Sequence, residues 1–192
     1  MWDERYGKGP IWIGDPNIHV AEELGDLPPG RALDLACGEG RHALWLARRG
    51  WEVEAVDVSP VAIARGAEQA DRDGVRVRWK VADVAEMPLP RAAYDLVLLA
   101  YVHVPDDILR DVLRRAAAAL RPGGTLLSVG HDRDNLDHGV GGPPDAALLH
   151  RPWRIEQILH DAGLDVLAGG QRLRPVEEGT AIDAVVRAGR ER

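Results

Sequence analysis

Short apolar runs alternate along the chain with longer stretches whose apolar residues recur at helical spacing. Strands are predicted at 31–36, 52–57, 75–81, 94–101 and 125–130, with helices at 41–49, 59–70, 105–120 and 152–162 and two last strands at 164–167 and 181–186. A strand that is followed by a helix and then by another strand favours parallel pairing, because the helix returns the chain to the same end of the sheet. The pattern therefore predicts an α/β fold with helices on both faces of a parallel sheet.

Length and charge narrow the function. A chain of 192 residues is near the usual size of one domain, so we expect a single domain over 1–192. Its 24 basic against 31 acidic residues give a net charge of −7, which disfavours nucleic acid as a partner. The start resembles no signal peptide, and the longest apolar run, 96–102, is far shorter than the roughly 18 residues that span a bilayer. We expect a cytoplasmic protein with no membrane partner.

The segment D-L-A-C-G-E-G-R, residues 34–41, follows the first predicted strand. Ligands bind at the carboxyl ends of the strands in open α/β sheets, and glycines there let the backbone approach a ligand at a helix N-terminus. A dinucleotide site would continue as G-x-G-x-x-G, but Gly38 and Gly40 are followed by Arg41-His42-Ala43. The missing third glycine argues against an NAD-dependent oxidoreductase.

Two acids stand just after the next strands. Asp57, followed by Val58, closes the second strand, where a carboxylate can accept hydrogen bonds from ribose hydroxyls. Asp83, followed by Val84, comes after the third strand, where an acid can accept from an adenine amino group. Each acid taken alone is also compatible with a solvated strand end.

Taken together, D-L-x-C-G-E-G-R, V-D-V-S-P, A-D-V, Y-D-L-V-L and L-R-P-G-G-T-L resemble the motifs of class I S-adenosylmethionine-dependent methyltransferases over nearly the whole chain. The resemblance implies a Rossmann-like doubly wound sheet of about seven strands, mostly parallel with an antiparallel last strand. It also implies S-adenosylmethionine as cofactor and S-adenosylhomocysteine as product. In this family the loop after strand one lies against the methionine and ribose, the strand-two acid holds the ribose, and the strand-three acid meets the adenine.

Carried over by position, the resemblance implies a cofactor site made of Trp12, Asp34, Ala36, Cys37, Gly38, Gly40, Arg41, Asp57, Val58, Asp83, Val84 and Ala100. One departure is Ala36, which stands where the family pattern D-x-G-x-G-x-G has its first glycine and is expected to weaken binding. Cys37, the only cysteine, excludes an internal disulfide and a cysteine-rich zinc site. Its thiol either packs as a small side chain or has a pKa depressed by the helix N-terminus.

The amino-terminal segment, residues 1–25, resembles the entry segment of small methyltransferases of the tellurite-resistance and thiopurine group. In those enzymes the segment packs over the cofactor and helps to close the site. Its aromatic residues can equally serve to staple a loose terminus to the core, and both roles are compatible with each other.

The acceptor side of the site is expected after strand four, at the position that faces the reacting methyl group in the family. His103 is the predicted proton acceptor there, with Tyr101 beside it, although a loop or capping histidine is an equal interpretation. Residues 131–151 are predicted to form a long substrate-side loop without regular structure. Its histidines and aspartates match no compact metal motif, so no metal is predicted.

These observations predict methyl transfer from S-adenosylmethionine to a small-molecule acceptor by in-line displacement. Almost the whole length of the chain forms the cofactor fold, which favours a small acceptor. A monomer or weak homodimer is expected. A sensor that binds S-adenosylmethionine without turnover is the alternative outside enzymes, because fold alone does not fix function.

Overall fold

The computed structural model describes residues 14–192. Trp12 and the rest of the entry segment before Gly14 lie outside the described residues. In chain order the elements are α1 (Ile18–Leu24), β1 (Arg31–Leu35), α2 (Arg41–Arg48), β2 (Glu52–Asp57), α3 (Pro60–Asp73), β3 (Val77–Val81), β4 (Tyr94–Ala100), α4 (Asp106–Ala119), β5 (Leu120–His131), α5 (Asn135–His138), a 3₁₀ turn (Ala146–Leu148), α6 (Pro152–Asp161), β6 (Asp165–Val176) and β7 (Gly179–Gly189).

The seven strands form one sheet in the order β3-β2-β1-β4-β5-β7-β6. The pairs among β1 to β5 are parallel, and β7 runs antiparallel between β5 and β6. The order in which strands are added to the sheet reverses at β1, because β2 lies on one side of it and β4 on the other. Ligands bind at such a switch point, beyond the carboxyl ends of the strands. The predicted Rossmann-like fold with an antiparallel last strand is confirmed.

The helices cover both faces of the sheet. On one face, Leu33 and Leu35 of β1 pack in a cluster that includes α4 and α6. On the other face, Ala32 of the same strand packs in a cluster that includes α1, α2 and α3. Successive residues of a strand point to opposite faces, so the buried strand β1 must be apolar on both. This explains why Ala32, Leu33 and Leu35 are apolar, whereas Asp34 is a polar residue buried in the same strand.

Most element boundaries differ from the predictions by one to three residues, but the carboxyl-terminal strands are much longer than predicted. The structure has a hairpin of 165–176 and 179–189, in contrast to the predicted 164–167 and 181–186. Strand β6 is an edge strand whose residues are mostly exposed or half-buried, so it carries little of the apolar signal from which strands are recognised. Strand β5 likewise begins at Leu120, before the predicted 125.

The prediction that residues 131–151 lack regular structure was wrong. The segment contains α5 and the 3₁₀ turn, and Asp132 forms an isolated parallel bridge with His150. Asn135 fixes it to β7, since its Oδ1 accepts from the Ile182 N–H at 2.7 Å and its Nδ2 donates to the Gly141 carbonyl at 2.9 Å. Polar side chains supply this order, which apolar periodicity cannot reveal. Within 14–192 no helix is long and apolar enough to cross a membrane.

Candidate active site

The loop between β1 and α2 turns through three left-handed residues. Ala36 has φ 55°, Gly38 has φ 57° and Gly40 has φ 81°. Glycine adopts this conformation readily, whereas an alanine there is strained. Gly40 also has no room for a side chain, because a Cβ would collide with the Trp79 indole on β3. Close packing on Trp79 is therefore one reason for a glycine at 40, a reason that the sequence analysis missed.

Asp57 joins this loop to the end of β2. Its Oδ2 accepts from the Gly38 N–H at 2.8 Å and its Oδ1 accepts from the Ser59 N–H at 2.9 Å. The side chain is buried, while the adjacent Val58 is 49% exposed. The carboxylate thus fixes the glycine loop to the end of β2. Carboxylate oxygens accept hydrogen bonds from hydroxyl groups as well as from backbone N–H groups.

Asp34, at the end of β1, is fully buried. Burial raises the pKa of this carboxyl to about 8, the neighbouring Asp57 raises it further, and the Ala43 backbone amide and Arg41 oppose the shift in part. Neither carboxyl oxygen has a hydrogen bond of ordinary geometry within 14–192. Asp34 is therefore mostly protonated at pH 7 and ready to interact with a polar ligand.

Arg41 is the first residue of α2 and follows the glycine loop directly. Its Nε is buried without a hydrogen-bond partner in the described part of the chain. Burial lowers the pKa of the guanidinium; among its neighbours Tyr101 and Asp34 raise it and Arg174 lowers it.

Cys37 is buried within the same loop. Burial raises the pKa of its thiol well above the ordinary value, and the carboxyls of Asp34 and Asp57 add to the rise. Of the two interpretations of this cysteine, the structure favours packing, because a helix N-terminus that lowered the pKa would have to outweigh all three effects.

Beyond β3 and β4, the predicted residues take different positions. Asp83 is exposed and its Oδ1 accepts from the Ala85 N–H at 2.8 Å, which closes the turn after β3. Val84 is buried in the core beneath that turn. Ala100 ends β4 with only 9% exposure, on the face that α1, α2 and α3 cover. Asp83 and Val84 follow β3 at the same edge of the sheet as Asp57.

Tyr101 lies at the centre of a hydrogen-bond network on the other side of the switch point. Its hydroxyl donates to Asp183 Oδ2 at 2.8 Å and accepts from Asn17 Nδ2 at 2.6 Å. Asp183 is fully buried on β7 and also accepts from Arg174 Nε at 2.7 Å. Burial raises the pKa of Tyr101 far above its ordinary value, and the negative Asp183 raises it further. These contacts make Tyr101 a fixed, protonated side chain, which argues against it as a proton acceptor.

Three histidines gather beside this network. His103 Nε2 lies 3.3 Å from His131 Nδ1, and the two rings stack with centroids 5.3 Å apart. The Tyr101 ring lies 4.9 Å from the His131 ring. His150 Nε2 lies 3.0 Å from the Val102 carbonyl oxygen, to which only an N–H can donate, so its buried Nδ1 is a lone-pair nitrogen. Burial lowers the pKa of His131 to about 4 and also lowers that of His150.

Sequence reasoning placed His103 and the 131–151 segment on one side of the site, and the structure brings His103 and His131 into contact. It missed Asn17, His150, Arg174 and Asp183, which no local motif marks. The acids of the segment serve its own order: Gln171 Nε2 donates to Asp132 Oδ1 and to Asp134 Oδ2, both at 2.8 Å. In residues 14–192 no three His, Cys, Asp or Glu side chains are placed to hold a metal ion.

Comparison with known proteins agrees with this geometry. Residues 32–124 match the family described as methyltransferase domain. An uncharacterized methyltransferase of Mycobacterium tuberculosis is 36% identical over 129 residues, which cover 65% of this chain and 64% of that protein. The 27-O-demethylrifamycin SV methyltransferase of Amycolatopsis mediterranei is 37% identical over 141 residues, covering 66% and 51%. The chain spans from about a third to two thirds of the length of the first curated relatives that it matches.

Among solved structures, magnesium protoporphyrin IX methyltransferase from Synechocystis, determined with bound S-adenosylmethionine, superposes with a TM-score of 0.67 at 20% identity. The match covers 90% of this chain and 74% of that one, and at this identity it shows the fold. The glycine loop follows β1 and Asp57 ends β2, as the sequence pattern predicted. Residues 32–124 therefore match a methyltransferase domain, in a chain whose fold is shared by S-adenosylmethionine-dependent methyltransferases of known structure.

Proposed function

We propose that this protein transfers the methyl group of S-adenosylmethionine to a small-molecule acceptor. The observation that carries the proposal is the meeting, at one edge of the sheet, of two unlike sets of residues. The glycine loop fixed by Asp57 lies beyond β1 and β2, and the pair His103 and His131 lies beyond β4 and β5. A methyl donor held at the first set would present its reactive group toward the second.

The residues present fit the cofactor. S-adenosylmethionine carries an adenosine, a sulfonium, an ammonium and a carboxylate, and supplies the methyl group as an electrophile. Asp57 is suited to the ribose hydroxyls, while Asp83 and Val84 are suited to the adenine. Asp34 has two buried oxygens without ordinary hydrogen bonds, and Arg41 has a buried Nε without one. Buried polar groups in that state are satisfied when a polar ligand binds.

The remaining residues would orient the acceptor and exclude water, which are the main requirements of an in-line displacement. His103 would take the proton of an acceptor that arrives protonated, because its Nε2 is part of a histidine pair in which His131 is neutral near pH 7. Tyr101 would hold the pair in place through its ring contact with His131.

The few segments that can form an acceptor pocket support a small acceptor. Outside the sheet and the helices that cover it, the described chain offers mainly residues 14–17 and 131–151 to shape a pocket. The second of these segments is held by Asn135 and Gln171. The rifamycin-modifying relative also acts on a small molecule by its printed name. We further propose that residues 1–25 close the site as an entry segment, and that 1–192 form one domain.

The test is a turnover assay with methyl-labelled S-adenosylmethionine against a panel of thiols, amines and phenols. We expect label transfer to at least one acceptor class, with His103→Ala slowing turnover at neutral pH and leaving S-adenosylhomocysteine affinity unchanged. His160→Ala, which removes a histidine that is 77% exposed on α6, is the matched control. Tight cofactor binding with no transfer to any acceptor would favour a sensor, and a pH profile that His103→Ala leaves unchanged would remove His103 as the base.

A further inference from the structure

The turn that follows β3 is held by an arginine from a helix on the face of the sheet. Within the turn, the Met87 N–H donates to the Asp83 carbonyl at 2.9 Å. Arg115, a half-buried residue of α4, donates through Nη2 to the carbonyls of Val84 and Ala85, both at 2.8 Å. Its Nη1 donates to the Met87 carbonyl. Three backbone carbonyls of a single turn therefore take hydrogen bonds from one guanidinium.

One peptide group connects this arginine to Asp83. The carbonyl of Val84 and the N–H of Ala85 belong to the same peptide group, which is planar, so the direction of one fixes the direction of the other. The carbonyl accepts from Arg115, and the N–H donates to Asp83 Oδ1 at 2.8 Å. Asp83 is exposed, so packing does little to restrict its side chain. The direction of its carboxylate therefore depends on how Arg115 holds the peptide group.

This turn lies beside the residue proposed for the ribose. The Ala82 N–H, directly before the turn, donates to the Asp57 carbonyl at 3.0 Å. Strand β3 is the neighbour of β2 on the side away from β1, and the glycine loop follows β1. A base attached to a ribose at Asp57 therefore has the turn after β3 as its neighbour on the side away from the glycine loop.

We propose that Arg115 is a positioning residue for recognition of the base: through the peptide group between Val84 and Ala85 it fixes the direction of the Asp83 carboxylate. The inference rests on the proposed function, which supplies the adenine. A carboxylate accepts from the 6-amino group of adenine but is repelled by the carbonyl oxygen that replaces this group in hypoxanthine. A carboxylate held in one direction makes this distinction at little entropic cost, whereas one that rotates freely must be ordered by the ligand.

Calorimetry with two ligands tests the proposal. Wild type, Arg115→Met and Arg115→Lys are titrated with S-adenosylhomocysteine and with S-inosylhomocysteine, in which a carbonyl replaces the 6-amino group. Wild type should bind the adenosyl ligand at least about 10-fold more tightly, and Arg115→Met should reduce this ratio to about twofold, as expected when a hydrogen bond to a charged group is lost. Arg115→Lys can still donate to a carbonyl and should retain part of the ratio. Arg114→Met, at the exposed neighbour on α4, is the matched control.

A double variant tests whether Arg115 acts through Asp83. Asp83→Ala alone should lower the ratio of the two affinities as far as Arg115→Met does. The two changes together should lower it no further, because residues that act as one unit do not have additive effects. The buried side chains of Val84 and Met87 still hold the turn on the core in every variant, so we expect all of them to fold. If Arg115→Met does not, Arg115→Lys gives the same comparison.

Three results would overturn the inference alone. They are equal weakening of both ligands by Arg115→Met at an unchanged ratio, which is the signature of a structural role, additive effects of Arg115→Met and Asp83→Ala on the ratio, and equal binding of both ligands by wild type. Failure of wild type to bind S-adenosylhomocysteine would contradict the proposed function and would overturn the inference with it.

Discussion

The two halves of the site are built in different ways. Beyond β1 and β2, the contacts join residues close in sequence: Asp57 accepts from Gly38, 19 positions away, and from Ser59, two positions away. Beyond β4, β5 and β7, Tyr101 bonds to Asp183 at a separation of 82 and to Asn17 at a separation of 84. The first half is made by contacts within residues 34–59. The second exists only after the whole sheet is assembled.

The largest change in stability is expected at Asp183, on which the contacts beyond β4, β5 and β7 depend. Asp183→Ala removes the partner of Arg174 and Tyr101 from a fully buried site and should lower the free energy of unfolding by about 3–5 kcal/mol. Urea denaturation measures the change, with Asp165→Ala at the exposed start of β6 as control. A loss below about 1 kcal/mol would show that the network does not hold the second half together.

In the half beyond β1 and β2, the buried Asp34 makes the stability of the protein depend on pH. Asp34 has a folded pKa of about 8 against an ordinary value of 3.8, so the folded protein binds the proton more tightly and stability is lost as pH rises between these values. The difference in free energy of unfolding between Asp34→Asn and wild type should therefore depend on pH. Allowing for relaxation around the charge, it should shift in favour of Asp34→Asn by about 2–3 kcal/mol between pH 5 and pH 9. If the stability difference between Asp34→Asn and wild type is the same at pH 5 and pH 9, Asp34 is not a buried, protonated carboxyl.

The ligand contact of the local half is probed at Asp57. Asp57→Ala should weaken S-adenosylhomocysteine binding by about 1.5–3 kcal/mol, because it removes a charged acceptor from the ribose and frees the Gly38 N–H. Calorimetry measures it, with the exposed Asp71→Ala of α3 as control. Affinity equal to wild type would remove Asp57 from the cofactor site.

The smallest effect is expected at Ala36, where the chain departs from the glycine of the family pattern. The residue has φ 55°, so Ala36→Gly relieves backbone strain in the folded state but gains flexibility in the unfolded one. We expect a net stabilisation of about 0.5–1 kcal/mol together with tighter S-adenosylhomocysteine binding. Thermal denaturation and calorimetry report the two changes, and a less stable variant would mean that the alanine is not strained.

This contrast also explains what could be predicted from sequence. The alternation of strands and helices, the glycine loop and the acid at 57 depend on local spacing. The fold that they predicted is confirmed, and residues 32–124 match a methyltransferase domain. Arg174 lies on the edge strand β6, whose apolar signal is weak, Asp183 lies on β7 and Asn17 lies before β1. Only assembly of the sheet unites them with Tyr101. The charge states of Asp34 and Cys37 likewise depend on burial, which a motif does not express.

We propose that the edge beyond β1 and β2 binds an adenosyl sulfur ligand rather than a dinucleotide. Isothermal calorimetry of the purified protein with S-adenosylmethionine, S-adenosylhomocysteine and NAD tests it most directly. We predict binding of both adenosyl ligands and none of NAD. Binding of NAD alone would contradict an S-adenosylmethionine site at this edge of the sheet.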